Sequence, residues 1–315
     1  MICARMGRPE SLVAFGPGKV ILLGEHGVVY GYPALAGPLS WGVTARGTPA
    51  RKPTLEVPAA LSRPAARALR SAFRAGAKAS GSPGIRVSLD SELPPSMGLG
   101  SSAALSVACA RLLLKARNGV ELRPSDVARV AWEMESVFHG TPSGVDHTVS
   151  VEDALIHFRR RPGSAGATVR RVECPRPLKV LVALVGERPS TRETVAALRR
   201  RQQKWPRRYA RLFQEMGRLV DEGRDAVESG DLEALGDLMN VNQGLLAALG
   251  LSSAGIDSMV YRLRSLGALG AKLTGAGGDG GAVIGLFLEP EPAVAQLTRE
   301  GVRCFSSQVA GPRAL

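Results

Sequence analysis

The sequence predicts an α+β protein of two domains. Short β-like runs and longer helical patterns are mixed without a strict β-α-β rhythm, which argues against a doubly wound sheet. An apolar strand, Val180 to Val185, restarts the pattern after a Pro- and Arg-rich segment from Arg159 to Pro177. The length, 315 residues with 44 % hydrophobic content, suits two cores better than one. The boundary therefore falls at 177/178, giving domains 1–177 and 178–315.

Branched and apolar runs predict strands at Lys19–Leu23, Trp41–Ala45, Ile85–Leu89 and Ala154–Phe158. Helical spacing predicts helices over Ala65–Ala79, Ala103–Ala116 and Pro124–His139, the last opened by Ser125-Asp126 and stopped by Gly140. Beyond the boundary come helical segments Thr191–Ser229, Leu232–Leu249 and Ile256–Leu266. Strands at Lys272–Thr274 and Ala282–Leu288 then flank a glycine-rich GAGGDGG. There is no internal repeat.

Net charge is +13, so acidic, phosphorylated or nucleic-acid partners all have to be weighed. The densest basic run, Arg199 to Arg211, has Trp205 and Tyr209 as its aromatics and reads either as a solvated helix face or as an RNA site. With 4 % aromatics overall there is little on which to stack bases. Cys3, Cys109, Cys174 and Cys304 lie far apart, which argues against zinc and against a disulfide framework. No apolar run approaches the ~20 residues that span a bilayer, and residues 1–10 lack a signal-peptide pattern, so a cytoplasmic protein is expected.

Three segments carry chemistry. In LPPSMGLGSSAA (93–104), Gly98 and Gly100 permit a tight turn with uncovered N–H groups, and Ser101-Ser102 open a helix whose positive end attracts anions. A plain loop with an ordinary N-cap is the simpler reading of that stretch alone. In EMESVFHGTPSGVDHTVS (133–150), a helix bearing Glu135 runs into a Pro-Ser-Gly turn that presents Asp146. Glu135 and the Ser102 hydroxyl would suit Mg²⁺, and Asp146 would accept a hydroxyl proton in phosphoryl transfer; singly, Glu135 also reads as a surface residue and Asp146 as a turn or cap. In FGPGKVILLGEHGVVY (15–30), Lys19 stands at a strand start ahead of Glu25-His26. An ammonium beside a carboxylate steadies developing negative charge, although a solvated lysine and a structural histidine are equally ordinary.

Gly275, Gly277 and Gly280 fit the spacing of a dinucleotide fingerprint, and Gly98, Gly100 and Ala103 a looser form of it. Neither sits tightly between a strand and a helix with an acidic residue about 20 positions on. A Walker A loop is absent, because Lys19 is followed by Val20 and the upstream glycine position holds Val13.

Together with KLTGAGGDGG (272–281), these segments resemble, in order and spacing, the motifs of the GHMP kinases, named for galactokinase, homoserine kinase, mevalonate kinase and phosphomevalonate kinase. The likeness covers nearly the whole chain. PGKVILLGEHGVVYG and HGTPSGVDHTVS are similar to the mevalonate kinase family; a galactokinase would carry Asp-Tyr soon after its Glu-His. The resemblance implies an N-terminal domain with a left-handed β-α-β unit and a ferredoxin-like C-terminal domain. It implies ATP-dependent phosphorylation, with Mg²⁺, of the C5 hydroxyl of (R)-mevalonate.

Carried onto this chain, the resemblance makes Asp146 the carboxylate acting on that hydroxyl, with Lys19 beside it. Ser102 and Glu135 would hold Mg²⁺. Pro95, Ser96, Met97, Gly98, Leu99, Gly100, Ser101 and Ser102 would wrap the ATP phosphates, with Gly275, Ala276, Gly277 and Gly278 nearby. Glu25, His26, Ser143 and Thr191 would line the acceptor site with Lys19 and Asp146. The implied partner is a small molecule, with neither nucleic acid nor membrane, and a homodimer is the family's common assembly. Two departures stand out: Asp279 where the family more often has glycine, and Gly281 where many members have cysteine or serine. A sibling kinase acting on phosphomevalonate or a sugar is the alternative, with a basic nucleic-acid-binding protein more remote.

Overall fold

A computed structural model describes residues 11–59, 61–119, 122–139, 144–161, 166–186 and 191–310. The chain condenses into two units that alternate along the sequence. One is built from Met1–Gly16, Gly42–Glu92 and Ser102–Pro142, the other from Pro17–Trp41, Leu93–Ser101 and Ser143–Leu315.

Strand β1 (Leu12–Leu23) begins well before Lys19, so Lys19 lies inside a strand and not at its start. The Gly-Pro-Gly step stays extended because packing overrides its turn preference. At Gly16 a Cβ would fall 2.1 Å from the Ala104 carbonyl oxygen, so only glycine admits the next helix. In the first unit, residues 43–49 of β2 (Pro33–Pro49) pair antiparallel with β4 (Ile85–Ser91). The short β3 (Thr54–Leu55) pairs parallel with β4, and α1 (Arg63–Ser80) connects them as a β-α-β crossover. Helix α2 (Ser101–Asn118) is apolar nearly all round, with Ala103, Ala104, Val107, Ala108 and Leu112 buried. Helix α3 (Pro124–His139) packs closely on α1, where a Cβ at Gly76 would meet Met134 Sδ at 2.6 Å.

In the second unit, α4 (Val145–Glu152) puts Val145 and Val149 into a cluster with Ile21, Val28, Ala34, Ala36, Ile156 and Phe158. That burial makes a helix of a segment whose β-branched residues give no helical signal by themselves. Residues 33–36 of β2 pair with β5 (Ile156–Arg160), and β5 with β6 (Ala167–Arg171), a strand inside the Arg-rich stretch that sequence patterning passed over.

The later part of this unit is an antiparallel sheet of β7 (Leu178–Val185), β8 (Gly270–Thr274), β9 (Gly281–Phe287) and β10 (Cys304–Ala310), in the order β10-β7-β9-β8. Counted along the chain this is 4-1-3-2, the ferredoxin-like arrangement. Its helices are α5 (Thr191–Lys204), α6 (Pro206–Ser229), α7 (Leu232–Ala248), α8 (Ala254–Ser265) and α9 (Glu291–Arg299). The expected continuous helix from 191 to 229 is broken at Trp205, because Pro206 lacks an N–H and disfavours helical geometry in the residue before it. Among the described residues, no helix is long and apolar enough to cross a membrane.

Candidate active site

The phosphate-type loop of the second unit is built from alternating backbone handedness. Ser96, Gly98 and Gly100 have φ of +60°, +82° and +72°, the kind of turn sequence that aims successive N–H groups to one side. Leu93, Met97 and Leu99 are buried and anchor the loop, whereas Pro95 and Ser96 are exposed. It then runs directly into α2 at Ser101, so the helix N-terminus follows the loop without a break.

Lys19 is threaded past this loop. Its backbone N–H donates to the Leu99 carbonyl at 2.9 Å, and a Cβ at Gly100 would lie 2.8 Å from Lys19 Cγ, so the lysine stem occupies the room glycine leaves. Lys19 Nζ then meets Asp146 Oδ1 at 3.2 Å. The lysine is 4 % exposed and the aspartate 38 %, so the ammonium is held while the carboxylate stays open to solvent on one side. Asp146 lies in the first turn of α4.

His26 stands at φ +60° and its Nε2–H donates to the Ala276 carbonyl at 2.9 Å. Burial pushes its pKa down to about 4, helped by the ammonium groups of Lys19 and Lys272 and opposed by the bond to Ala276. The imidazole is therefore neutral at pH 7, with Nδ1 left as an acceptor. Glu25 is 1 % exposed; its oxygens take the Lys272 ammonium and, at 3.1 Å, the Asn242 amide.

The glycine-rich turn Gly275, Ala276, Gly277 and Gly278 is pinned from several sides. Gly278 N–H donates to the Leu251 carbonyl at 2.9 Å, and a Cβ at Gly278 would sit 2.6 Å from Thr194 Oγ1. Ahead of it, Thr274 Oγ1 accepts the Ile21 N–H at 2.9 Å, and Gln243 Oε1 accepts the Leu273 N–H at 2.9 Å. Asp279 is exposed.

In the first unit, Glu135 is 3 % exposed and accepts the Ser106 hydroxyl at 3.2 Å. Ser102 lies one helical turn before Ser106 on the same face of α2. One buried carboxylate and one hydroxyl suit Mg²⁺, which takes few protein oxygens and completes its shell with phosphate and water. Ser143 lies outside the described residues, and Thr191 opens α5, with its side chain outside them.

Sequence reasoning missed Lys272, Asn242, Gln243, Ser106 and Thr194. A signal existed for the first three, since Lys272 interrupts an apolar strand and MNVNQ places amides in an apolar helix. The hydroxyls of Ser106 and Thr194 carry no such mark.

Two family patterns match the chain: the GHMP kinases N terminal domain over residues 62–153 and the GHMP kinases C terminal over residues 224–303. A mevalonate kinase of Thermococcus sibiricus is 32 % identical, covering 93 % of this chain and 98 % of the relative. One from Aeropyrum pernix is 36 % identical, covering 88 % and 89 %. The crystal structure of L. major mevalonate kinase in complex with R-mevalonate superposes with a TM-score of 0.83 at 28 % identity, over 98 % of this chain and 100 % of that one. The two-domain α+β architecture is thus the GHMP kinase fold, and the chain belongs to the GHMP kinases and, within them, to the mevalonate kinase family.

Proposed function

We propose that this chain transfers the γ-phosphoryl group of ATP to the C5 hydroxyl of (R)-mevalonate, yielding 5-phosphomevalonate and ADP. The observation that carries the chemistry is Lys19 Nζ at 3.2 Å from a solvent-open Asp146 Oδ1, beside a loop of alternating handedness. The choice of acceptor draws on the relatives, which bear the mevalonate kinase name at 32–36 % identity.

The acceptor hydroxyl donates its hydrogen bond to Asp146, which takes the proton as O5 bonds to the γ-phosphorus and the bond to the ADP oxygen breaks. The Lys19 ammonium offsets the negative charge gathering on the transferred group. Backbone N–H groups of residues 96–102 hold the phosphates, with Gly275–Gly278 beside them. Neutral His26 offers Nδ1 as an acceptor for a substrate hydroxyl. Ser102 and Glu135 would hold Mg²⁺, which when bound neutralises phosphate charge. The resemblance adds Thr191 and Ser143 to the proposed acceptor site, and Glu25 is buried next to His26. We further propose a cytoplasmic setting and a homodimer, with neither nucleic acid nor membrane as partner.

The test is ADP release with ATP and Mg²⁺ against mevalonate, phosphomevalonate, galactose and homoserine, with Asp146→Asn alongside. Turnover on mevalonate alone, abolished in the variant, is the expected result. Turnover on another acceptor would move the substrate and leave the mechanism in place, and none at all would overturn the reading.

A further inference from the structure

We infer that Glu25 and Lys272, steadied by Asn242, form a buried clamp that positions Lys19 and His26 for the transfer, and that Glu25 never touches the acceptor. The clamp deepens the phosphotransfer reading above and rests on it.

The burial is complete on all three sides: Lys272 is 0 %, Glu25 1 % and Asn242 0 % exposed. The Lys272 ammonium donates to Glu25 Oε1, to the Leu273 carbonyl at 2.6 Å and to the Ile21 carbonyl at 3.4 Å. Glu25 Oε2 takes the Asn242 amide at 3.1 Å, so both carboxylate oxygens are engaged inside the protein. Asn242 Oδ1 has no partner among the described residues, so the amide is oriented for Glu25 at the expense of its own acceptor. At 1 % exposure, Glu25 offers an acceptor molecule almost no surface by which to be recognised.

Folding alone does not call for this pair. Its neighbours Ile21, Leu22, Leu23, Ala271 and Leu273 are all buried and apolar, and an apolar pair of similar volume commonly serves a core as well as a buried ion pair does. What the charges add is placement. The Ile21 carbonyl receives Lys272 and also the Thr274 hydroxyl at 3.2 Å, while the Ile21 N–H goes to Thr274 Oγ1. Ile21 is one pleat from Lys19 on the same face of β1. At the other end Glu25 immediately precedes His26, whose ring is bonded to Ala276 just beyond Thr274. A single buried pair therefore fixes the strand that carries Lys19 and the residue next to His26, whose ring bonds the glycine-rich turn. Burial pulls the Lys272 ammonium below the usual lysine value, and Glu25 opposes this. Loss of Glu25 thus leaves a lysine that can shed its charge and still hold two carbonyls, whereas loss of Lys272 strands a buried carboxylate.

Steady-state kinetics, thermal melts and long-range ¹H–¹⁵N histidine spectra of Lys272→Met and Glu25→Gln test the clamp. The expected result is a folded Lys272→Met with kcat down about 10²-fold, KM for mevalonate held, and the fixed Nε2–H form of His26 lost. Glu25→Gln follows in the same direction by less. A raised KM for mevalonate in Glu25→Gln with kcat kept and Lys272→Met silent would make Glu25 an acceptor contact and overturn the inference. Lower melting temperatures with unchanged kinetics and unchanged His26 signals would reduce the pair to a structural role and overturn it as well. If Lys272→Met fails to fold, Glu25→Gln and Asn242→Leu carry the same comparison. If the wild type does not turn over mevalonate, the functional reading fails separately, and the His26 spectra still decide the clamp.

Discussion

Gly98 and Gly275 meet backbone to backbone: a Cβ on Gly275 would lie 3.0 Å from Gly98 Cα, and one on Gly98 would lie 3.2 Å from the Thr274 carbonyl oxygen. Two loops far apart in sequence therefore share one surface, and both need left-handed backbone there, at φ +82° and +87°.

That contact makes Gly275→Ala a double injury. Gly267 is the comparison, since its φ is +95° but nothing lies within 4 Å of a Cβ there. Gly267→Ala is expected to cost about 1–2 kcal/mol for the left-handed conformation alone. Gly275→Ala adds a backbone collision, so denaturant melts should show the larger loss, with weaker ATP binding by calorimetry seen in Gly275→Ala and not in Gly267→Ala.

Asp146→Asn removes the proton acceptor while keeping shape, and kcat is expected to fall about 10²–10⁴-fold with nucleotide affinity retained. Lys19→Met, which keeps the stem beside Gly100 and deletes the charge, is expected to cost about 10²–10³-fold in kcat. Single-turnover kinetics beside nucleotide titration separate these from binding defects.

For the cation, Glu135→Gln is expected to raise the Mg²⁺ concentration needed for half-maximal rate at least tenfold, in the range of about 10–100-fold for lost ligand support. Ser106→Ala, which removes the 3.2 Å bond to Glu135, is expected to shift it in the same direction by less. Mg²⁺ titrations at saturating ATP and acceptor measure both.

The pH dependence of stability follows from His26. Its folded pKa of about 4 lies below the ordinary 6.5, so between these values the unfolded chain binds a proton that the folded chain refuses. Stability is present above about pH 6.5 and is lost as pH falls toward 4. His147, also held below its usual value by burial against the charge of Asp146, acts in the same sense. Melting temperatures from about pH 7 to about pH 4.5 should fall less steeply in His26→Gln than in wild type; equal slopes would show that His26 does not carry the effect.

Local chemistry made most elements legible. Pro124, Ser125-Asp126 and Gly140 bracket a helix that the structure places at Pro124–His139, and GAKLT before the glycine cluster is the strand it reads as. Where patterning failed, packing had overruled it. Gly16-Pro17-Gly18 reads as a turn yet runs through a strand, because α2 presses its backbone against Gly16. The helices expected in the first half of the chain end at His139, yet Val145–Glu152 is a helix too, because its valines complete a core cluster.

The site divides in the same way. Residue types with an intrinsic task, such as glycines that accept positive φ, a lysine after GPG, and an aspartate after PSG, mark Lys19, Gly98, Gly100, Asp146 and Gly275 in the linear chain. Local backbone geometry and charge need no distant partner to be read. Tertiary structure alone brought Lys19 Nζ to Asp146, turned His26 onto Ala276, and closed Lys272 over Glu25. Those pairs join residues 127, 250 and 247 positions apart, 127 being 146 minus 19. Burial, which determines whether a charge meets water, a substrate or another side chain, is a property of the packed interior and is written in no single segment.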